Sequence, residues 1–199
     1  MGGQAFTQLM PLVKAVTDCI DHETSAPYCL YGHSMGALIS FEVARELFRR
    51  HRAGLRHLFV SGRRAPQWPR KERKTFDLPR DRFLDELKRL DGTPLEVLHD
   101  PQLMEVFIDV LRADFEVVET YKYNPGERLP CPITVYGGLQ DEDVSVESCE
   151  AWRRQTSVVC KVRMFPGDHF FIRNPLGDFI AALRGDLLSA VPELHPESL

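Results

Sequence analysis

The chain has 199 residues, a net charge of −4, 43% apolar and 27% charged residues. That is long enough to bury a core without disulfide staples, and the near-balanced charge gives no reason to expect a nucleic acid or an anionic membrane surface as partner. No apolar run reaches the roughly 20 residues a membrane helix needs, and no signal peptide opens the chain. The five cysteines show neither C-x-x-C nor Cys/His ligand spacing, so no metal or cofactor is expected and the setting is read as reducing and cytoplasmic.

Phe6, Leu9, Val13, Val16 and Ile20 recur at three and four residues, which predicts an amphipathic helix stopping before Pro27. Tyr28-Cys29-Leu30-Tyr31 reads as a short buried strand. Ala37 to Arg50 reads as a helix with Ala37, Phe41, Ala44 and Phe48 on one face and Gly54 as its C-cap. Leu55 to Val60 is the next strand, closing at Ser61-Gly62. Strand, helix, strand at this spacing implies a parallel crossover and an α/β sheet.

Between Gly62 and Pro130 the alternation breaks. Asp81 to Leu90 and Asp100 to Tyr123 read as helices, the second opened by Asp100-Pro101 as N-cap and first helical residue. Its expected face is Leu103, Phe107, Val110, Asp114 and Val117. Helices inserted between strands of a parallel sheet are expected to form a lid, here at about 67–128 of a single domain; the alternative is added packing on the sheet flank. Arg63, Arg64, Arg70, Lys71, Arg73, Lys74 and Arg80 form either a solvated basic loop or a docking patch for an acidic partner. Pro132 to Tyr136 resumes the sheet before Gly137-Gly138, Val158 to Phe165 is the last strand, Leu176 to Leu188 the closing helix, and Pro192 to Leu199 a frayed tail.

The chemistry is concentrated in Gly32-His33-Ser34-Met35-Gly36, lying between a predicted strand and a predicted helix. That context defines a nucleophile elbow, a tight strained turn that exposes a serine hydroxyl. Side chains at positions 32 and 36 are expected to crowd the turn. The Met35 N–H, at the new helix N-terminus, is placed to meet the oxygen that turns negative in acyl transfer. A serine needs a base, and the base an orienting carboxylate; after elbows of the strand–G-x-S-x-G–helix kind these come in the order Asp or Glu, then His, at strand ends. Asp141 follows the strand ending at Tyr136, with Asp143 as runner-up, and His169 follows the last strand. His22, His51, His57, His99 and His195 fall in helical, linker or tail segments, and His33 is expected to pack beneath the turn.

With Ser34, Asp141 and His169 in place, the chain resembles the type II thioesterases of the α/β-hydrolase superfamily, stand-alone partners of nonribosomal peptide, polyketide and fatty-acid synthases. The likeness rests on Gly32-His33-Ser34-Met35-Gly36-Ala37-Leu38, on His57 to Pro66 as the next strand and loop, and on Leu90-Asp91-Gly92-Thr93-Pro94. It extends to Leu111-Arg112-Ala113-Asp114-Phe115 with Glu119-Thr120-Tyr121, and to Pro166-Gly167-Asp168-His169-Phe170. The resemblance implies an α/β-hydrolase fold with a mainly parallel sheet and a helical lid. It also implies a thioesterase acting on acyl groups carried by the phosphopantetheine arm of an acyl or peptidyl carrier protein, in a chain that needs neither nucleic acid nor membrane. Two departures stand out. Asp168 replaces a second glycine before the histidine, and the family's opening strands, with the glycine-rich turn that donates the second oxyanion N–H, have no counterpart here. Loss of one such donor costs about 10²–10³ in kcat. A carboxylesterase or lipase acting on small oxygen esters, and a catalytically silent shortened form, are the alternatives.

Overall fold

The computed structural model describes residues 5–23, 27–69, 73–90, 92–173 and 177–192. Four strands, β1 (Tyr28–His33), β2 (Leu55–Ser61), β3 (Ile133–Gly138) and β4 (Cys160–Phe165), form one parallel sheet in the order β1-β2-β3-β4. Seven α-helices are seen among the described residues: α1 (Leu9–Glu23), α2 (Met35–Arg49), α3 (Arg80–Leu90), α4 (Leu95–His99), α5 (Pro101–Thr120), α6 (Val146–Glu150) and α7 (Asp178–Ala190).

Strand periodicity sorts the core into two layers. Leu58 and Val60 of β2, with Ile133 and Val135 of β3, face Ala37, Phe41 and Ala44 of α2 together with Trp152. The intervening Phe59 and Tyr136 turn to the opposite face, where Phe171 and Phe179 cover them. The register sets His33 beside Ser61, Ser61 beside Tyr136, and Gly138 beside Phe165, so the strands end along one edge of the sheet. Parallel strands put their following loops on the same side, and here those loops carry Ser34, Asp141 and His169.

By its contacts the chain divides into two compact units, one of Met1–Leu12 with Pro69–Lys122 and one of Val13–Trp68 with Tyr123–Leu199. The second holds the whole sheet. In the first, Phe83 and Leu87 of α3, Leu98 of α4, and Met104 and Ile108 of α5 make a separate core. Phe83 meets Phe115 edge to face at 5.5 Å, and the Arg112 guanidinium lies 4.4 Å over the Phe83 ring while donating to the Phe76 carbonyl. Asp100 caps α5 as expected, its carboxylate accepting from the N–H groups of Gln102 and Leu103.

Several expectations need correction. On α5 the inward residues are Met104, Ile108, Ala113 and Val117, whereas Leu103, Phe107 and Val110 stand 41%, 44% and 46% exposed. The N-terminal half of this helix is apolar on two sides, and three-and-four spacing cannot choose between them; packing against α3 and α4 does. In α1 the buried line is Leu9, Val13 and Thr17, with Phe6 exposed ahead of the helix. Thr17 is tolerated there because its hydroxyl donates to the Val13 carbonyl at 2.8 Å. Gly54 does not cap α2. The N–H groups of His51 and Arg52 bond back to the carbonyls of Phe48 and Leu47, with His51 left-handed at φ 54°, a Schellman ending. The last strand begins at Cys160, leaving Val158 and Val159 exposed ahead of it. Leu176, where the closing helix was expected to start, and all but the first residue of the expected frayed tail lie outside the described residues.

Candidate active site

Ser34 joins β1 to α2 with φ 54° and ψ −112°, a conformation that L-residues avoid and that local structure must enforce. Two features enforce it. The Ser34 N–H donates to the Ser61 carbonyl at 2.8 Å, and Gly32 lets the first turn of α2 press against β1. A Cβ at Gly32 would lie 2.1 Å from the Gly36 carbonyl oxygen. Gly36 differs: a Cβ there meets nothing within 4 Å, so only one of the two flanking glycines is required by crowding. Met35 is the first residue of α2, where an N–H has no acceptor within its own helix and points out at the N-terminus.

Asp141 sits in the turn after β3, its N–H bonded to the Gly138 carbonyl at 3.3 Å. Its side chain is 2% exposed. Oδ1 accepts the Asp143 N–H at 3.0 Å, and Oδ2 lies 2.7 Å from Nδ1 of His169. Of the two neighbouring aspartates, Asp141 therefore meets the histidine, while Asp143 steadies it through the backbone. Nε2 of His169 is 2.9 Å from Oγ of Ser34. With Nδ1 protonated and donating to the carboxylate, Nε2 is left to accept the serine proton.

The acid and histidine loops are stitched together by residues the sequence did not single out. The Gln140 N–H donates to the Gly167 carbonyl at 2.9 Å, and the Gln140 side-chain oxygen accepts the Gly167 N–H. A Cβ at Gly138 would stand 2.1 Å from the Asp168 carbonyl oxygen, so this glycine admits the histidine loop over the end of β3. Gly137-Gly138 is visible in the sequence as a strand end; what approaches it is not. Asp168 uses Oδ1 to accept the Phe170 N–H at 2.8 Å, an Asx turn that shapes the loop carrying His169.

The other histidines fall into place around this centre. His33 bonds through Nδ1 to the Ser61 hydroxyl at 2.8 Å, with its ring 5.1 Å from that of His169, and burial pushes it down to about 4. His57 bonds Thr134 at 2.8 Å and stacks on Phe59 at 4.2 Å, and burial likewise lowers it to about 4. His51 is exposed at the end of α2. His195 and the side chains of His22 and His99 lie outside the described residues, as do Arg70 and Lys71 of the basic stretch and Asp91. Burial pushes the thiols of Cys131 and Cys160 up to about 11 and that of Cys149 to about 12, which makes them poor nucleophiles. Among the described residues no cluster of three His, Cys, Asp or Glu is placed to hold a metal, and no helix is long and apolar enough to cross a membrane.

An alcohol bonded to an imidazole, itself bonded to a buried carboxylate, can deliver a serine oxygen to an acyl carbon and carry its proton to the leaving group. Comparison with known proteins finds relatives of one kind. The model of the thioesterase domain matches residues 2–185. The gramicidin S biosynthesis protein GrsT of Aneurinibacillus migulanus is 45% identical over 166 residues, which is 83% of this chain and 65% of GrsT. The chain therefore spans about two thirds of that relative's length. Among solved structures, the thioesterase RedJ from the prodiginine pathway of Streptomyces coelicolor superimposes with a TM-score of 0.82 at 35% identity, over 91% of this chain and 68% of RedJ. The type II thioesterase BorB of the borrelidin biosynthetic cluster gives 0.82 at 31% identity, over 92% of this chain and 74% of BorB.

Proposed function

The chain belongs to the thioesterase family, and from that premise we propose that it hydrolyses acyl thioesters from the phosphopantetheine arm of an acyl or peptidyl carrier protein. The observation that carries the reading is the continuous run from Ser34 Oγ to His169 Nε2, 2.9 Å, and from His169 Nδ1 to Asp141 Oδ2, 2.7 Å.

Ser34 is the nucleophile. As its oxygen adds to the thioester carbonyl, His169 takes the proton and becomes an imidazolium, which Asp141 stabilises and orients. The carbonyl oxygen gains a negative charge and meets the Met35 N–H at the start of α2. Collapse of the tetrahedral species breaks the carbon–sulfur bond, and the His169 proton goes to the departing pantetheine thiolate. Water then enters, His169 takes its proton, and a second collapse returns Ser34 and frees the acid. In this reading the insertion at about 67–128 is the lid, and the exposed Arg73, Lys74 and Arg80 meet an acidic carrier. The substrate belongs to the chemistry of nonribosomal peptide, polyketide or fatty-acid assembly, and five free thiols suit a cytoplasmic setting.

Free-thiol release from an acyl-pantetheine and from an acylated carrier protein tests the reading. Ser34→Ala is expected to lower the rate by about 10³-fold or more while leaving the melting temperature near that of the unaltered chain. Equal rates for the two proteins would refute the assignment, and faster turnover of matched oxygen esters would redirect it to an esterase.

A further inference from the structure

His33 is the last residue of β1, directly before the nucleophile, and no step above uses it. Its surroundings are unusually specific. Nδ1 bonds the buried Ser61 hydroxyl at 2.8 Å, and that hydroxyl bonds the Tyr31 hydroxyl at 2.9 Å. Nε2 is buried and has no hydrogen-bond partner among the described residues. The ring lies 5.1 Å from the His169 ring at a 53° tilt, 5.9 Å from Phe170 and 6.2 Å from Phe171. Room for it exists because position 62 is a glycine at φ 58°, where a Cβ would come within 2.5 Å of the His33 ring.

A phenylalanine would fill this space without the desolvation cost of burying an unpaired nitrogen. A polar ring kept at that cost against the catalytic imidazole calls for a reason beyond packing. The bond to Ser61 supplies one, because it fixes the His33 ring plane and thereby the surface on which His169 rests. Burial and the proximity of His169 and Arg173 keep His33 neutral, with Asp141 acting in the opposite sense. A neutral ring adds no positive charge when His169 becomes cationic.

Given the triad reading above, we propose that His33 is a positioning residue, anchored through Ser61 to Tyr31, that holds the His169 imidazole where it reaches Ser34 and Asp141 together. The anchor and the ring act as one device. Removing the ring frees His169 to rotate and lets water reach one of its faces; removing the anchor loosens the ring without deleting it.

The test measures kcat, KM and the pH profile of thiol release from an acyl-pantetheine for His33→Ala, Ser61→Ala, the double variant and His33→Gln, each checked for folding by thermal melt, with Ser34→Ala in parallel. Expected are losses in kcat of about 10²-fold for His33→Ala and about 10-fold for Ser61→Ala, with KM within about twofold. The acidic limb of the His33→Ala profile is expected to move to higher pH, because water now solvates the imidazolium. The double variant should be no worse than His33→Ala alone, and His33→Gln should recover part of the loss by bonding Ser61. Folded His33→Ala and Ser61→Ala proteins with the unaltered kcat and acidic limb, a loss confined to KM, or additive losses in the double variant would each overturn the proposal. Activity retained by Ser34→Ala would instead overturn the triad reading itself. Should His33→Ala fail to fold, the size of the Ser61→Ala kcat loss decides alone.

Discussion

Around Ser34 the fold depends on side chains that are missing, whereas in the helical unit it depends on side chains that are present. Gly32 and Gly138 each bring backbone to within 2.1 Å of where a Cβ would be, and Ser34 holds a strained conformation between them. The helical unit is held by Phe83, Leu87, Met104 and Ile108 packed as ordinary helix faces, with Arg112 laid over Phe83. Each region is therefore vulnerable in its own way. A single added methyl group endangers the loops that carry chemistry, while the helices are endangered by removal of bulk.

The largest expected effect on activity follows from the first half of that contrast. Gly32→Ala should cost roughly 3 kcal/mol or more in stability and abolish thiol release, since the clash is with backbone that cannot swing away. Denaturant melts and the thiol assay would show it; near-normal stability would mean that the elbow is not tightly packed. Phe83→Ala comes next, with a loss of about 3–5 kcal/mol that hydrogen exchange should localise to α3 and α5 while β2 and β3 keep their protection. Equal loss in helices and strands would dissolve the distinction between the two regions.

A smaller effect separates the sheet by its titration. His57 is lowered to about 4 by burial, so between pH 6.5 and 4 the unfolded chain binds the proton that the folded chain refuses. Stability must then fall as pH drops through that window, by roughly 1–2 kcal/mol once partial exposure is allowed for. Melting temperatures at pH 7, 5.5 and 4.5 should show the decline, and His57→Gln should remove about half of it, since buried His33 is lowered over the same window; an unchanged slope would contradict the burial argument. The smallest effect is expected at Gly36→Ala. Open space there and the better helix propensity of alanine predict unchanged or slightly raised stability, by up to about 1 kcal/mol. A loss as large as that of Gly32→Ala would show both elbow glycines to be crowded.

The same contrast explains what the sequence revealed. Local patterns were readable: the serine between two glycines after a strand, the Asp100-Pro101 helix start, the aspartate and histidine that follow successive strands. Approaches between distant segments were not. Nothing around Gly138 announces that the Asp168 carbonyl will lie against it, and Gln140 looks like any loop residue until the Gly167 backbone is beside it. The inward face of α5 is not legible in the sequence because apolar residues occupy two sides of its N-terminal half, and only α3 and α4 settle which side is used. Gly54 drew the helix end because glycine favours left-handed geometry, yet His51 adopts it three residues earlier, where the Schellman bonds to Phe48 and Leu47 compensate.

Serine-directed labelling by a fluorophosphonate probes the hydrogen-bonded run most directly, with the modified residue located by peptide mapping. The account predicts rapid modification at Ser34, a slowing of about 10³–10⁴-fold in Asp141→Asn, and a rate within a few-fold of the unaltered chain in Asp143→Asn. Modification at another residue, or equal rates for both aspartate variants, would contradict it.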